Sequence, residues 1–360
     1  MSHEIPFVAA IAEAVHGEMS RDEDVVLFGQ TIGEDHYESF RKAFPGERVR
    51  VTPISETAEI GMAAGAALAG KRPVVDCTMA EFLLVAMDQV VNEANRFHYM
   101  SGGRVTAPMV LKAGYGFAAG WGAQHSNSIY GMFLGVPGLK VALPSTPADA
   151  KGLMTSAIRD DNPVLYLHSF LQLLETGPVP EGEHVVPFGV ADVKRPGTDV
   201  TVVATGWTVS LALAAAERLA AEGTEAEVID PRTIAPLDTE TVLASVARTG
   251  RLVLVDQAPR HGSVATVIAG GGRRARLVVS ASADHAGHRT RRADRLCPAD
   301  GGVRTAERGT HRRSRTEGRR CAGWQGVNGD QARAALRTMW RIRVFEERVG
   351  RLKRADQVPG

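Results

Sequence analysis

The chain has 360 residues, of which 44% are hydrophobic and 23% charged, and its formal net charge is +1. That length allows two domains with sizeable cores, and no stretch approaches the ~20 consecutive apolar residues of a membrane span. Cys77, Cys297 and Cys321 are the only cysteines; they form no CxxC and no metal-ligand spacing, and the first residues contain no signal-peptide core, so the expected location is the reducing cytoplasm. The near-neutral total hides a split. Residues 1–269 hold 20 basic and 32 acidic residues, whereas residues 270–360 hold 22 and 9. The second segment is therefore either a nucleic-acid-binding tail or a stretch of different origin.

In chain order, Phe7, Ile11, Ala14 and Val15 have helical spacing over residues 6–19. Val25-Val26-Leu27-Phe28 is a short buried strand ended by Gly29. A second apolar run, Val49-Arg50-Val51-Thr52, leads into Pro53-Ile54-Ser55-Glu56. A helix rich in Gly and Ala follows, with Gly61, Ala64, Gly65 and Ala69 three or four residues apart. Glu56 thus lies where a strand ends and a helix begins, and ligands of α/β sheets bind at the carboxyl ends of strands. Taken alone, Glu56 is equally a first-turn acid favoured by the helix macrodipole.

Pro73 to Cys77 reads as the next strand, and a long helix is expected from Phe82 to Tyr99. Met109-Val110-Leu111 is a strand, followed by a Gly-rich loop over residues 113–128 that holds His125. Leu139 to Leu143 is a strand. Pro147 opens a helix that runs to Arg159, where its missing N–H is tolerated. Val164 to Leu167 is a strand. Pro178, Pro180, Pro187 and Pro196 mark a linker over residues 176–197. A second unit follows, with strands at 200–204, 226–229 and 252–255 and helices at 208–222 and 238–248. Strands alternating with helices imply mostly parallel, helix-covered sheets, an α/β fold in two domains.

After about Gly270 this alternation stops. Residues 270–320 contain 14 Arg, no Lys, no Phe and no Tyr. Such a composition buries too little apolar surface to offset chain entropy. Without interleaved aromatics or a recognisable module the arginines are a poor nucleic-acid site, and an out-of-frame reading of a GC-rich gene gives the same composition. From Gln331 onward, Ala335, Leu336, Met339, Ile342, Phe345 and Val349 form one helical stripe.

Several ordered blocks carry a resemblance: Thr52-Pro53-Ile54-Ser55-Glu56, Asp88-Gln89, Met100-Ser101-Gly102-Gly103, Ala123-Gln124-His125-Ser126, Pro137-Gly138-Leu139-Lys140-Val141 and Ile158-Arg159-Asp160-Asp161-Asn162-Pro163. Over residues 5–269 the chain resembles the beta subunit of thiamine-diphosphate-dependent 2-oxo acid dehydrogenases of the pyruvate, branched-chain and acetoin type. The resemblance implies a transketolase-like pyrimidine-binding domain (5–175) and a transketolase C-terminal-like domain (198–269) lacking its last strands. Residues 270–330 are then disordered or frameshifted, and 331–360 resemble the first helix of the alpha subunit.

The resemblance also implies roles. Glu56 hydrogen-bonds the cofactor's pyrimidine ring nitrogen and favours the tautomer that activates it; burial beside an apolar ring would raise its pKa. Phe82 stacks on the pyrimidine, against the alternative of ordinary core packing. His125 lines the active-site channel and orients the acyl group or incoming lipoyl group, against the alternative of an exposed loop residue. Met109, Ala157, Ile158, Asp160 and Asn162 match positions that bind a monovalent cation, often potassium, mostly through carbonyl oxygens; Asp/Asn turn chemistry is the competing reading. No Gly-Asp-Gly segment followed by Asn is present, so magnesium and diphosphate would be held by an alpha subunit, two of each chain forming the complex.

The implied reaction is oxidative decarboxylation of a 2-oxo acid with acyl transfer to a lipoyl group. Docking to the lipoyl acyltransferase core is expected to be weakened or lost, and neither nucleic acid nor membrane is an expected partner. The rivals are another transketolase-like enzyme, which would need its own diphosphate motif, and a defective fusion subunit that binds an alpha subunit without turnover.

Overall fold

The computed structural model describes residues 2–34, 37–116, 122–259, 262–271 and 276–281. The alpha-like stretch 331–360 and nearly all of the Arg-rich segment lie outside the described residues.

Strand β1 (Ser2–Pro6) precedes helix α1 (Phe7–Arg21), which buries Phe7, Ala10, Ile11, Ala14 and Val15. Then come β2 (Val25–Gly29), α2 (Glu38–Ala43), β3 (Val49–Val51) and α3 (Glu56–Leu68). Strand β4 (Arg72–Met79) runs into a tight 3-10 turn, Ala80–Ala86, a wide π turn, Gln89–Ala94, and the short α4 (Phe97–Met100). The single long helix expected over 82–99 is thus broken into three pieces. Its apolar face survives, since Leu83, Ala86, Val90 and Ala94 are all buried. Wide turns of this kind accommodate an extra residue without losing the helical path, often beside functional sites.

Strands β5 (Val110–Tyr115), β6 (Lys140–Ala142) and β7 (Val164–Ser169) surround helix α5 (Pro147–Arg159) in the chain. Thr146 caps α5, its hydroxyl accepting from Asp149 N at 3.1 Å, with Pro147 in the first turn as expected. Helices α1 and α5 pack together on one face, joined by Glu18 and Arg159 at 2.6 Å and by Glu13 and Lys151 at 3.0 Å.

The stretch expected as a linker holds two strands. Strand β8 (Thr176–Pro180) pairs antiparallel with β1, and β9 (Asp192–Arg195) joins the second sheet. The second unit continues with β10 (Val200–Ala204), α6 (Thr208–Ala221), β11 (Ala226–Asp230), β12 (Thr233–Ala235), α7 (Thr239–Thr249), β13 (Arg251–Asp256), α8 (Val264–Gly271) and β14 (Arg276–Ala281). Gly223 (φ +77°) and Gly250 (φ +66°) end α6 and α7 in the left-handed region, where glycine is favoured.

The first sheet has the order β12-β6-β7-β5-β4-β2-β3, parallel except for β12. The second has the order β14-β13-β10-β11-β9, parallel except for β9. Strand β14 corrects the expectation that the second sheet stops at β13 with an open edge. It lies inside the stretch whose sequence shows no strand period, and Arg251 to Asp256 pair with Arg276 to Ala281 in parallel register. Leu277, Val278 and Val279 make a three-residue apolar run there, short enough to be hidden among the arginines.

The two units are interlocked. Strand β12 belongs to the second unit in sequence but closes the first sheet against β6. The buried Tyr130 hydroxyl donates to Asp256, and Gly131 sits so close to the Gly262 carbonyl that a Cβ there would collide with it. Ser145 donates to Asp230, while Lys194 pairs with Asp149 at 2.6 Å. Asp230 is fully buried; that burial and the neighbouring Asp149 push its pKa up to about 7. Among the described residues no helix is long and apolar enough to cross a membrane.

Candidate active site

The candidate site lies at the carboxyl rim of the first sheet, where β3 and β4 end. Glu56 is the first residue of α3 and is half-buried. It is not sealed within this chain, as the expected burial required. The helix forms because Ala, the strongest helix former, dominates it and acids occupy its first turn. Its buried face is Glu59, Ile60, Ala63, Ala64 and Ala67.

Phe82 is carried on the 3-10 turn that follows β4. The approach is unusual: Thr78 has φ +59°, and the β4–β5 register shifts between Asp76 and Met79. A bulge and a left-handed non-glycine residue redirect the chain at this point, as is common beside active sites. Two hydrogen bonds then bind the site together. The Thr57 hydroxyl, next to Glu56, donates to the Val85 carbonyl at 3.1 Å, holding α3 to the turn that bears Phe82. The Asn127 N–H donates to Glu81 at 2.6 Å, holding the His125 loop to that same turn.

As a result Phe82 and His125 meet. Their ring centroids are 5.6 Å apart and their planes stand at 88°. Glu56 and Phe82 belong to elements joined by Thr57, and Phe82 and His125 touch directly. The structure therefore brings Phe82 and His125 into contact and ties their turn to the helix that Glu56 begins.

Beneath them lies a buried charged cluster that sequence reasoning missed. Asp76 on β4 pairs with Lys112 on β5 at 3.0 Å, accepts from Thr31 at 3.2 Å and accepts from the Tyr37 hydroxyl. Burial alone would raise its pKa; the Lys112 charge and these hydrogen bonds outweigh that and hold it at about 2. His168 on β7 is buried nearby. Burial and the Lys112 charge lower its pKa to about 3, so it is neutral. Around the same rim, Gln30 Nε2, Glu59 Oε2, Thr78 Oγ1, Glu81 Oε2 and His168 Nδ1 are buried without a partner among the described residues. Buried polar atoms normally have partners, so these five are open to a polar ligand or water.

The cation residues have other partners. The Arg72 guanidinium donates to the Ile158 and Asp160 carbonyls, each at 3.1 Å. Lys140 pairs with the Asp160 carboxylate, and the Met109 carbonyl accepts from Val164 N at 2.9 Å. Ala157 is fully buried in α5, and Asn162 N donates to Asp160 at 2.9 Å. Arg72 thus occupies two carbonyl oxygens of the group, and Lys140 the Asp160 carboxylate.

Comparison with known proteins agrees with this geometry. Residues 3–169 match the family described as transketolase, pyrimidine binding domain, and residues 189–277 match transketolase, C-terminal domain. The chain is 44% identical to the acetoin:2,6-dichlorophenolindophenol oxidoreductase subunit beta of Cupriavidus necator over 285 residues, covering 74% of this chain and 83% of that one. The chain belongs to the beta-subunit family of the thiamine-diphosphate-dependent 2-oxo acid dehydrogenases. Two Bacillus subtilis members, the 2-oxoisovalerate dehydrogenase subunit beta and the pyruvate dehydrogenase E1 component subunit beta, are each 39% identical over 73% of this chain and 82% of their own length. Among solved structures, one titled split gene transketolase, inactive beta4 tetramer, matches with a TM-score of 0.64 at 25% identity, covering 76% of this chain and 87% of that one. The match to the second domain runs past residue 269 and into β14, in keeping with the extra strand.

Glu59, Glu81, Thr57 and the Asp76–Lys112 pair carried a weaker sequence signal. For Glu59 the signal was present: a charged residue three positions after Glu56, beside Ile60 on an otherwise small, apolar face.

Proposed function

We propose that this chain supplies the pyrimidine half of a thiamine diphosphate site in the decarboxylating component of a 2-oxo acid dehydrogenase. The observation that carries the reading is the meeting of Phe82 with His125 on a turn tied to the helix of Glu56. An aromatic ring, a carboxyl group and a rim of unpartnered buried polar atoms together fit the cofactor's pyrimidine. Bound thiamine diphosphate would supply the nucleophilic carbon and the electron sink that decarboxylation requires.

The chain's own residues have three tasks. Glu56 exchanges a proton with a pyrimidine ring nitrogen through its carboxylate oxygen, the role of a positioned acid–base group. Phe82 offers an apolar face and keeps water from that side. His125 hydrogen-bonds the acyl oxygen and steers the incoming lipoyl group. Magnesium and diphosphate fall to an alpha subunit, because the chain has no Gly-Asp-Gly segment followed by Asn. The relatives named as beta subunits support an alpha subunit as partner; in this reading two alpha and two beta chains assemble in the cytoplasm, with docking to a lipoyl acyltransferase core weakened or lost. Arg72 already donates to two of the carbonyl oxygens expected to bind potassium, so this reading does not require potassium.

In this reading the chain alone is inactive. Coexpression with an intact alpha subunit, followed by a decarboxylation assay, tests it. Turnover is expected only when both chains are present. Turnover by this chain alone overturns the division of the site. A stable complex that never turns over establishes the defective-subunit alternative instead.

A further inference from the structure

The turn that carries Phe82 is a 3-10 turn, with three residues per turn, so positions three apart eclipse. Ala80, Leu83 and Ala86 fall on one line, and all three are fully buried. They fix the turn in the core. Glu81 and Phe82 lie between them, half-buried, on the turn's other two lines. Each meets a different residue of one short stretch. Phe82 meets the His125 ring, and the Glu81 carboxylate accepts from the Asn127 N–H at 2.6 Å.

Asn127 is where the His125 stretch is made fast. Beyond it the chain enters the core, since Ser128 is 7% exposed and Tyr130 is fully buried. The Asn127 carbonyl accepts from Gly116 N at 2.8 Å, which ties it to the end of β5. Its N–H is left for Glu81, and a carboxylate accepting from a backbone N–H makes one of the stronger hydrogen bonds. Ahead of Asn127, Ala123–His125 is a single 3-10 turn in which His125 N donates to the Gly122 carbonyl at 3.3 Å. One turn of helix is marginal by itself. The place of His125 therefore depends on the ring contact with Phe82 and on the pin two residues behind it.

We propose that Glu81 is a positioning residue for His125. By holding Asn127, it sets how the imidazole stands against Phe82 and so where its nitrogen meets the acyl group and the incoming lipoyl group. The inference rests on the role in acyl transfer assigned to His125 above. The latch acts on that step and leaves the earlier decarboxylation, which depends on Glu56, near its normal rate. One acceptor oxygen is all the latch requires. Glu81 Oε2 has no partner among the described residues, so the NH2 group of a glutamine placed there meets no opposing donor.

Two measurements on the full-length chain test it. The first is histidine-selective NMR, with neither cofactor nor partner present. The His125 ring signals, assigned by their loss in His125→Ala, should be displaced from free-histidine values by the Phe82 ring. Glu81→Ala should move them toward those values, and Glu81→Gln should leave them in place. The second is kinetic, in the complex with an alpha subunit. Glu81→Ala should slow acyl transfer to a lipoyl acceptor by about tenfold, a part of the ~100-fold that an ångström of misplacement costs. Decarboxylation read with an artificial electron acceptor should stay nearly unchanged, and Glu81→Gln should restore transfer. In a His125→Ala background, Glu81→Ala should add nothing, because residues that act through one another are not additive. If the His125 signals of Glu81→Ala match those of the wild type, or if its loss in transfer adds fully to that of His125→Ala, the role assigned to Glu81 is wrong. Full transfer by His125→Ala would remove the underlying assignment itself, whereas slow transfer by His125→Ala beside normal transfer by Glu81→Ala removes only the role of Glu81.

Discussion

Phe82 and His125 meet edge to face, at 5.6 Å between ring centroids, although one is carried on the turn after β4 and the other on the loop after β5. Such pairs contribute about 0.5–1.5 kcal/mol beyond the area they bury. The contact holds a loop histidine in register with the aromatic surface assigned to the cofactor. His125→Ala should therefore slow acyl transfer to a lipoyl acceptor by about 100-fold, while decarboxylation read with an artificial electron acceptor falls much less. Equal losses in the two assays would show that His125 serves the first step instead.

Glu56→Gln keeps the size of the side chain but removes its ability to exchange a proton. In the reconstituted complex its rate should fall by two or more orders of magnitude, the usual range for a positioned proton-transfer group, with unchanged circular dichroism. Turnover close to that of the wild type would refute its assignment.

The small residues of α3 and its C-cap, Ala69, separate into two sets. Ala64 is buried in the core, whereas Gly65 and Ala69 face outward, and a Cβ at Gly65 would meet nothing within 4 Å. Gly65→Leu should thus leave this chain's folding intact. If a partner subunit packs closely there, the added bulk costs about 1–3 kcal/mol at the contact, and size-exclusion chromatography should show less heterotetramer. An unchanged elution profile would locate the interface elsewhere.

The Asp76–Lys112 pair gives a stability prediction. Lys112→Met leaves a buried carboxylate without its cation and should destabilise the fold by about 3–5 kcal/mol at neutral pH, measured by urea unfolding. Asp76 is held at about 2, below its unfolded value. Its contribution is therefore complete above the ordinary carboxylate range and is lost as pH falls from about 4 toward 2. The gap between the wild type and Lys112→Met should narrow over that window. A gap independent of pH would mean that Lys112 acts through packing.

Much of the architecture was legible from residue order alone. Strands buried on both faces need continuous apolar runs, and Val25–Phe28, Val164–Leu167, Val200–Ala204 and Leu252–Val255 are such runs. Pro147 marks a helix start by local backbone preference, and the block ending in Glu56 marks a strand-to-helix junction. These features depend on neighbours within a few residues. Only the tertiary structure decided the rest. Strands β1, β8 and β9 are rich in Pro or charged residues, and β12 is only three residues long; each exists because a distant strand pairs with it. Strand β14 needs the open edge of β13, and no apolar period in its Arg-rich surroundings announces it. The broken helix after Ala80 follows from a bulge and a left-handed Thr78. The burial of Glu59 and the pairing of Asp76 with Lys112 depend on which side chains come together when the sheet closes. Charge placement is a property of three-dimensional neighbours, because desolvation and Coulomb terms act through space and sequence spacing does not record them.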